Sequence, residues 1–227
     1  PDTLRFIWIH CWPNAYKNDK TAFTDQALEN GSTRFYFSNN EERGYMNRLD
    51  FRVNGTAAVT EDHPRHQDIV KLILPHPLPP HASAKIETPF HVKLPYVFSR
   101  GGHVGNTYQV TQWFPKAAVY DRKGWHPMPY LDQGEFYSDF GNYQVQITVP
   151  QDYAVAATGE LQHAAEKKWL IERQPPQPEK EKKKQPGAKK PKQVVTAAPA
   201  PVKTKTLVYR QDNVHDFAWF ADKMFIV

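Results

Sequence analysis

Cysteine occurs once among the 227 residues, at Cys11, so no disulfide can close within the chain and a cysteine-built zinc site would lack ligands. It lies in the apolar run Leu4–Trp12, LRFIWIHCW, where a small buried hydrophobe is a plainer reading than a nucleophile. Long apolar runs are missing as well. No stretch approaches the roughly 18 apolar residues of a membrane helix, so no membrane span is expected, and the chain opens on Pro1-Asp2-Thr3 without a basic and apolar leader, so that any export signal is expected to have been removed or never to have existed. None of the ten histidines is followed by glutamate. That excludes, within these residues, the His-Glu-x-x-His arrangement that sets two imidazoles and a general base on one helix face. A Gly-x-Ser-x-Gly turn is absent too, and GGHVGN lacks the lysine and the strand-to-helix setting of a phosphate loop.

Charge is nearly balanced once its location is considered. The net charge is +5, but Glu179–Lys192 alone carries seven lysines against two glutamates, leaving 22 basic and 22 acidic residues elsewhere. The lysine run has no aromatics for base stacking and interleaves Glu with Pro, so a solvated insert is the expected reading and no nucleic-acid partner is expected. From 166 to 205 the composition falls to Lys, Glu, Pro, Gln and Ala, with almost nothing to bury between Gln174 and Lys192. We read it as a low-complexity, disordered insert between two strands of a single domain spanning 1–227.

What remains reads as strands. Leu4–Trp12 is apolar on both alternate faces, as for a strand covered on two sides. Thr21–Asn30 reads as one short helix, with Thr21 as N-cap and Gly31 at the C′ position. Leu49, Phe51 and Val53 alternate with polar residues up to Asn54-Gly55, a tight-turn signal that predicts a hairpin into Thr56–Thr60. Ile69–Leu74 is a strand ended by Pro75, and Lys85–Leu94 a further strand carrying Pro89 at an edge or bulge. Tyr143, Val145, Ile147 and Val149 alternate with Gln144, Gln146 and Thr148, predicting a half-buried strand that resumes after Pro150 at Tyr153–Thr158. Frequent turns without βαβ alternation give the fold class as all-β, antiparallel sheets packed as a sandwich.

Histidines cluster twice. His63 and His66 are three apart in EDHPRHQD, but Pro64 breaks a helix there, and His76, His81 and His91 sit among prolines, so both groups read as surface turns. Aromatics concentrate in Thr111–Val149, where Trp113, Phe114, Trp125, Tyr130, Phe136, Tyr137 and Phe140 are too many for one strand face. Most of them are expected to seal the end of the sandwich.

The succession TQWFPKAAVYD, GWHPMPY, GEFYSDFGNYQVQITVP, YAVAATGEL and VHDFAWFAD resembles the N-terminal domain of bacterial zinc metallopeptidases of the aminopeptidase N family, the gluzincins. LRFIWIHCWPNAY and PLPPHASAKIETPFHVKLP extend it over most of the chain outside the lysine run. The resemblance implies a saddle-shaped N-terminal β-sandwich that packs on its own C-terminal catalytic domain, which would carry His-Glu-x-x-His, a third glutamate ligand and the zinc beyond Val227. The fragment itself would hold no cofactor and would be inactive alone. In the family a segment of this domain reaches the active site and holds the peptide's free α-amine. Here that segment is Thr111-Gln112-Trp113-Phe114, so the substrate-binding residues implied are Gln112, Trp113 and Phe114. Gln112 matches, whereas Phe114 stands where a second polar residue is expected and cannot accept the ammonium's hydrogen bonds. A cation–π contact from Trp113 or Phe114 is the substitute this suggests. The resemblance favours an exported location, and missing strands ahead of Leu4 would leave a sheet edge open to a homodimer. The competing expectation is a stand-alone carbohydrate- or protein-binding sandwich that stacks ligand on Trp113, Trp125 and Tyr130.

Overall fold

The computed structural model describes residues 2–173 and 202–225. Its elements are mostly short strands, and every ladder between them is antiparallel. The fold is all-β.

The first sheet runs in the order Lys116–Ala117, Leu4–His10, Ile69–Leu78, Thr60–Asp62. Leu4–His10 is interior to it, which is why both its faces are apolar: Ile7 and Ile9 enter a core with Cys11, Phe51 and Leu72, while Phe6 and Trp8 on the other face are half-buried against Lys71 and His63. The open edge expected at this strand is closed over its second half, where Ile9 and His10 pair with Ala117 and Lys116 and the Ala118 N–H donates to the Trp8 carbonyl. The strand beginning at Ile69 does not end at Pro75. It continues to Leu78, because the register shifts between Leu4 and Phe6 and the prolines fall in that bulge, where the ladder asks for no N–H.

A second sheet has the order Ala154–Ala157, Trp219–Asp222, Thr107–Val110, Gly102–Val104, and a third the order Gly141–Pro150, Thr204–Val214, Glu160–Leu161. Their facing sides share one core, with Ile147, Val149, Leu207 and Tyr209 from the third sheet meeting Val155 and Ala221 from the second. These two sheets form the sandwich, and the Gly141–Pro150 strand follows the predicted alternation, its Asn142, Gln144, Gln146 and Thr148 exposed.

Local signals account for the smaller elements. The hairpin closes through Asn54 at φ 49° and Gly55 at φ 82°, the pair of left-handed residues that a two-residue turn needs. Helix α1, Ala22–Glu29, is capped by Thr21, whose hydroxyl accepts from the Thr24 N–H. The 85–94 stretch is not one strand: Ile86–Glu87 and His91–Lys93 join different ribbons, with Pro89 between them.

A second helix, α2, Ala164–Glu172, occupies the start of the segment read as low-complexity. It forms because Ala164-Ala165-Glu166-Lys167-Lys168 are good helix formers and because Leu170 is buried in the sandwich core, with Trp169 packed against it. Lys205 reinforces it, pairing with Glu166 and lying 3.7 Å over the Trp169 ring. The lysine run Glu179–Lys192 lies outside the described residues.

A third core is almost wholly aromatic. Trp12 and Tyr16 of the 3-10 turn Trp12–Tyr16, Phe23 of α1, Phe35 and Tyr130 pack together, and rings such as Tyr16 and Tyr130 stand 5.2 Å apart in tilted contact.

Candidate functional site

The Thr107–Val110 strand runs into Gln112, a non-glycine residue at φ 47°. A left-handed conformation of this kind costs on the order of 1 kcal/mol and persists only where the surroundings impose it. Here two side-chain bonds do so. The Gln112 amide donates to Asp216 Oδ2 at 3.4 Å, and Trp113 Nε1 donates to the Phe217 carbonyl at 3.1 Å, stapling the corner to the turn between Thr204–Val214 and Trp219–Asp222.

Beside this corner opens a cleft of about 570 Å³, walled by Gln112, Arg100, Glu135, Phe136, Phe140 and Asp216, with Thr158 and His215 at its rim. Its one guanidinium is already engaged. The Arg100 guanidinium donates to the Leu131 and Gly134 carbonyls at 2.9 and 2.8 Å. Nearby, Lys116 Nζ donates to the His215 carbonyl and lies 3.7 Å from Asp216 Oδ1. Burial pushes the Lys116 ammonium below the usual lysine range, against the pull of Asp216. The acceptors are the Glu135 carboxylate, the Asp216 carboxylate, which already accepts from Gln112 and the Phe217 N–H, and Gln112 Oε1, which is buried without a hydrogen-bond partner. An acceptor-rich wall suits a cationic or N–H-bearing ligand.

Of the three residues singled out in the sequence, only Gln112 lines this cleft. The Trp113 ring packs among Phe90, Phe114 and Trp219, and Phe114 lies against Tyr143 with Lys116 Nζ 6.0 Å above it. The cation over Phe114 is thus supplied by the chain itself. The stacking platform of Trp113, Trp125 and Tyr130 does not assemble: Tyr130 is 2% exposed inside the aromatic core, and Trp125 is half-buried against Phe6 and Tyr120.

Arg100, Glu135 and Thr158 were not legible as site residues, since single charged or hydroxyl residues in loops carry no pattern. His215 and Asp216 lay within the VHDFAWFAD block, so a signal existed without a role attached.

Two other expectations concern reactivity. Cys11 is fully buried and burial pushes its thiol up to about 12, so it is not a nucleophile. The His63 Nδ1 accepts the Arg65 and His66 N–H groups, which makes the pair a capped turn. Among the described residues no three of His, Cys, Asp and Glu come together as a metal-holding group.

No protein-family model matches the sequence, and no curated protein matches it. Among solved structures the chain is similar to M1 zinc metallopeptidases. The similarity to the M1 zinc metallopeptidase from Deinococcus radiodurans covers 97% of this chain and 35% of that one, at 12% identity and a TM-score of 0.45. A two-domain M1 zinc metallopeptidase mutant bound to L-arginine is similar over 79% of this chain and 34% of its own, at 14% identity and a TM-score of 0.38. A further M1 mutant from Deinococcus radiodurans has the same coverage, 15% identity and a TM-score of 0.39. The chain therefore spans about a third of the length of these structures.

Proposed function

We propose that this chain is the non-catalytic N-terminal β-domain of a zinc-dependent, aminopeptidase-like metallopeptidase, and that its Gln112 cleft forms part of the wall that holds the substrate peptide. The order of the sequence blocks from Thr111 to Asp222 supports the first part. Gln112 carries the second: it lines the cleft, its amide nitrogen is held by Asp216, and its oxygen is left as a buried, unpaired acceptor that substrate binding would have to uncover. A peptide's ammonium terminus is the ligand such a wall would take.

Zinc does not fit the residues described, which offer no three-ligand group. The metal, the general base and the hydrolytic step belong in this reading to a catalytic domain encoded beyond Val227. Trp113 and Phe114 contribute by fixing the corner that presents Gln112. The Phe114 ring supplies no second polar contact, so the amine is held by fewer acceptors of this domain than the family pattern implies.

The test is metal analysis and hydrolysis of an aminoacyl-4-nitroanilide by this chain alone and by the full-length protein. The reading expects zinc and turnover in the full-length protein only, with His-Glu-x-x-His encoded after Val227. Stoichiometric zinc with turnover in the chain alone would overturn it.

A further inference from the structure

The segment 127–140 has no regular secondary structure, and among the described residues it takes part in no backbone–backbone hydrogen bond. It is held by side chains reaching in from elsewhere. Met128 is gripped twice, its N–H donating to His10 Nε2 at 3.0 Å and its carbonyl accepting from Trp12 Nε1 at 3.1 Å. The Tyr130 N–H donates to Asp68 Oδ2 at 2.6 Å. Farther along, Gln26 bonds both the N–H and the carbonyl of Gln133, and Arg100 holds the Leu131 and Gly134 carbonyls. This strap then supplies Glu135, Phe136 and Phe140 to the cleft.

One of these bonds depends on a proton. Because Nε2 of His10 is an acceptor, the neutral ring carries its hydrogen on Nδ1, and Nδ1 is buried without a partner. A proton added at Nε2 would turn it towards the Met128 N–H as donor against donor. The ring is 1% exposed and stacked on Trp12 at 4.5 Å, so it cannot swing into water without leaving its site.

Burial and one neighbouring cation oppose the charging of the ring. From the neighbouring strand Lys116 stands opposite His10 in register and adds like charge. From the start of the Ile69–Leu78 strand comes Asp68, itself bound to Tyr130, and Cys11 follows in the same chain. The Asp68 contact has the opposite dependence: burial raises its carboxyl to about 6, so acidification below that favours the state in which Tyr130 covers it.

We infer that His10 is an acid-released catch: its neutral ring fastens the strap 127–140 over the aromatic core, and protonation unfastens the strap and with it the Glu135–Phe140 wall of the cleft. The device needs no assumption about what the cleft binds. Burial and Lys116 hold the His10 ring down to about 4, against about 6.5 for a solvated imidazole. With Asp68 replaced by Asn, so that His10 alone titrates against the strap, each unit of acidification between those limits favours the open strap about tenfold, a total of two orders of magnitude or so.

The experiment is residue-resolved amide exchange by NMR on this chain from pH 7 to 4.5, with rates divided by their intrinsic values. In Asp68→Asn, protection at Met128 and Tyr130 should fall about tenfold per unit below pH 6.5, while the amides of the Gly141–Pro150 and Thr204–Val214 strands stay protected. When His10→Gln, whose amide oxygen can accept from Met128 without titrating, is added to Asp68→Asn, the fall should vanish. The 15N shifts of the wild-type His10 ring give an independent check that needs no variant, and should show the neutral Nδ1–H tautomer at pH 7 and still as the major form at pH 5, with protonation setting in towards pH 4. In the Asp68→Asn background, strap protection that is flat with pH, that falls together with the sandwich strands, or that falls equally once His10→Gln is added would overturn the inference.

Discussion

Lys116 Nζ lies 3.7 Å from Asp216 Oδ1, both side chains largely buried, so a strand of the first sheet is tied electrostatically to the turn that orients Gln112. Removing one partner leaves a buried charge without compensation. Asp216→Ala should lose about 3 kcal/mol in urea unfolding, whereas Lys116→Met with Asp216→Ala should recover more than half of that. Strictly additive losses would show that the pair is not coupled.

His10 and Asp68 make opposite contributions to acid stability. The folded state depresses the His10 ring to about 4 from 6.5, so its contribution is fully present above pH 6.5 and is lost as the pH falls towards 4. Burial raises Asp68 to about 6 from 3.8, so its contribution is fully present below 3.8 and is lost as the pH rises through 6. Between pH 4 and 6 the two nearly offset. Asp68→Asn should be as stable as the wild type or more so at pH 7.5, and should then lose on the order of 3 kcal/mol by pH 4.5. His10→Gln should instead gain stability on acidification over the same range. Denaturant midpoints at the two pH values decide it, and parallel curves for the two variants would contradict the assignment.

Cys11 should be silent in the native protein. With the thiol buried and pushed up to about 12, reaction with a disulfide reagent at pH 7.5 should be at least a hundredfold slower than in denaturant, following global opening rather than local access. Rapid native labelling would show that the first core is open.

Two glycines separate conformational strain from steric strain. Gly31 and Gly159 both have positive φ, at 80° and 86°, but a Cβ at Gly31 meets nothing within 4 Å, while one at Gly159 would stand 2.7 Å from the Gln211 Cβ and closer still to the Arg210 carbonyl. Gly31→Ala should cost about 1 kcal/mol and Gly159→Ala about 3 kcal/mol or more, read by thermal unfolding.

Much of the strand pattern was legible because it depends on local periodicity. The alternation from Tyr143 to Val149, the two-sided apolar run at Leu4–His10 and the Thr21 cap all report burial that their own neighbours impose. Pro75 misled because a ladder tolerates proline at a bulge, and the bulge is set by the pairing with Leu4 and Phe6, distant in sequence. Helix α2 was masked by its lysines and glutamates, its ordering coming from Leu170 and from Lys205 across the lysine run. The cleft was the least legible. Arg100, Glu135, Thr158 and Asp216 come from four separate loops, and the stapling of Gln112 to Asp216, the bonds between Thr158 and Ala218 and the side-chain grip on 127–140 bring them together.

The central claim is that Gln112 presents an acceptor to a peptide's amino terminus, and steady-state kinetics of the full-length protein on an aminoacyl-4-nitroanilide test it most directly. Gln112→Ala, with unchanged circular dichroism, should raise KM roughly ten- to a hundredfold with a smaller change in kcat, the loss of one charge-assisted hydrogen bond. A KM equal to that of the wild type would contradict the account.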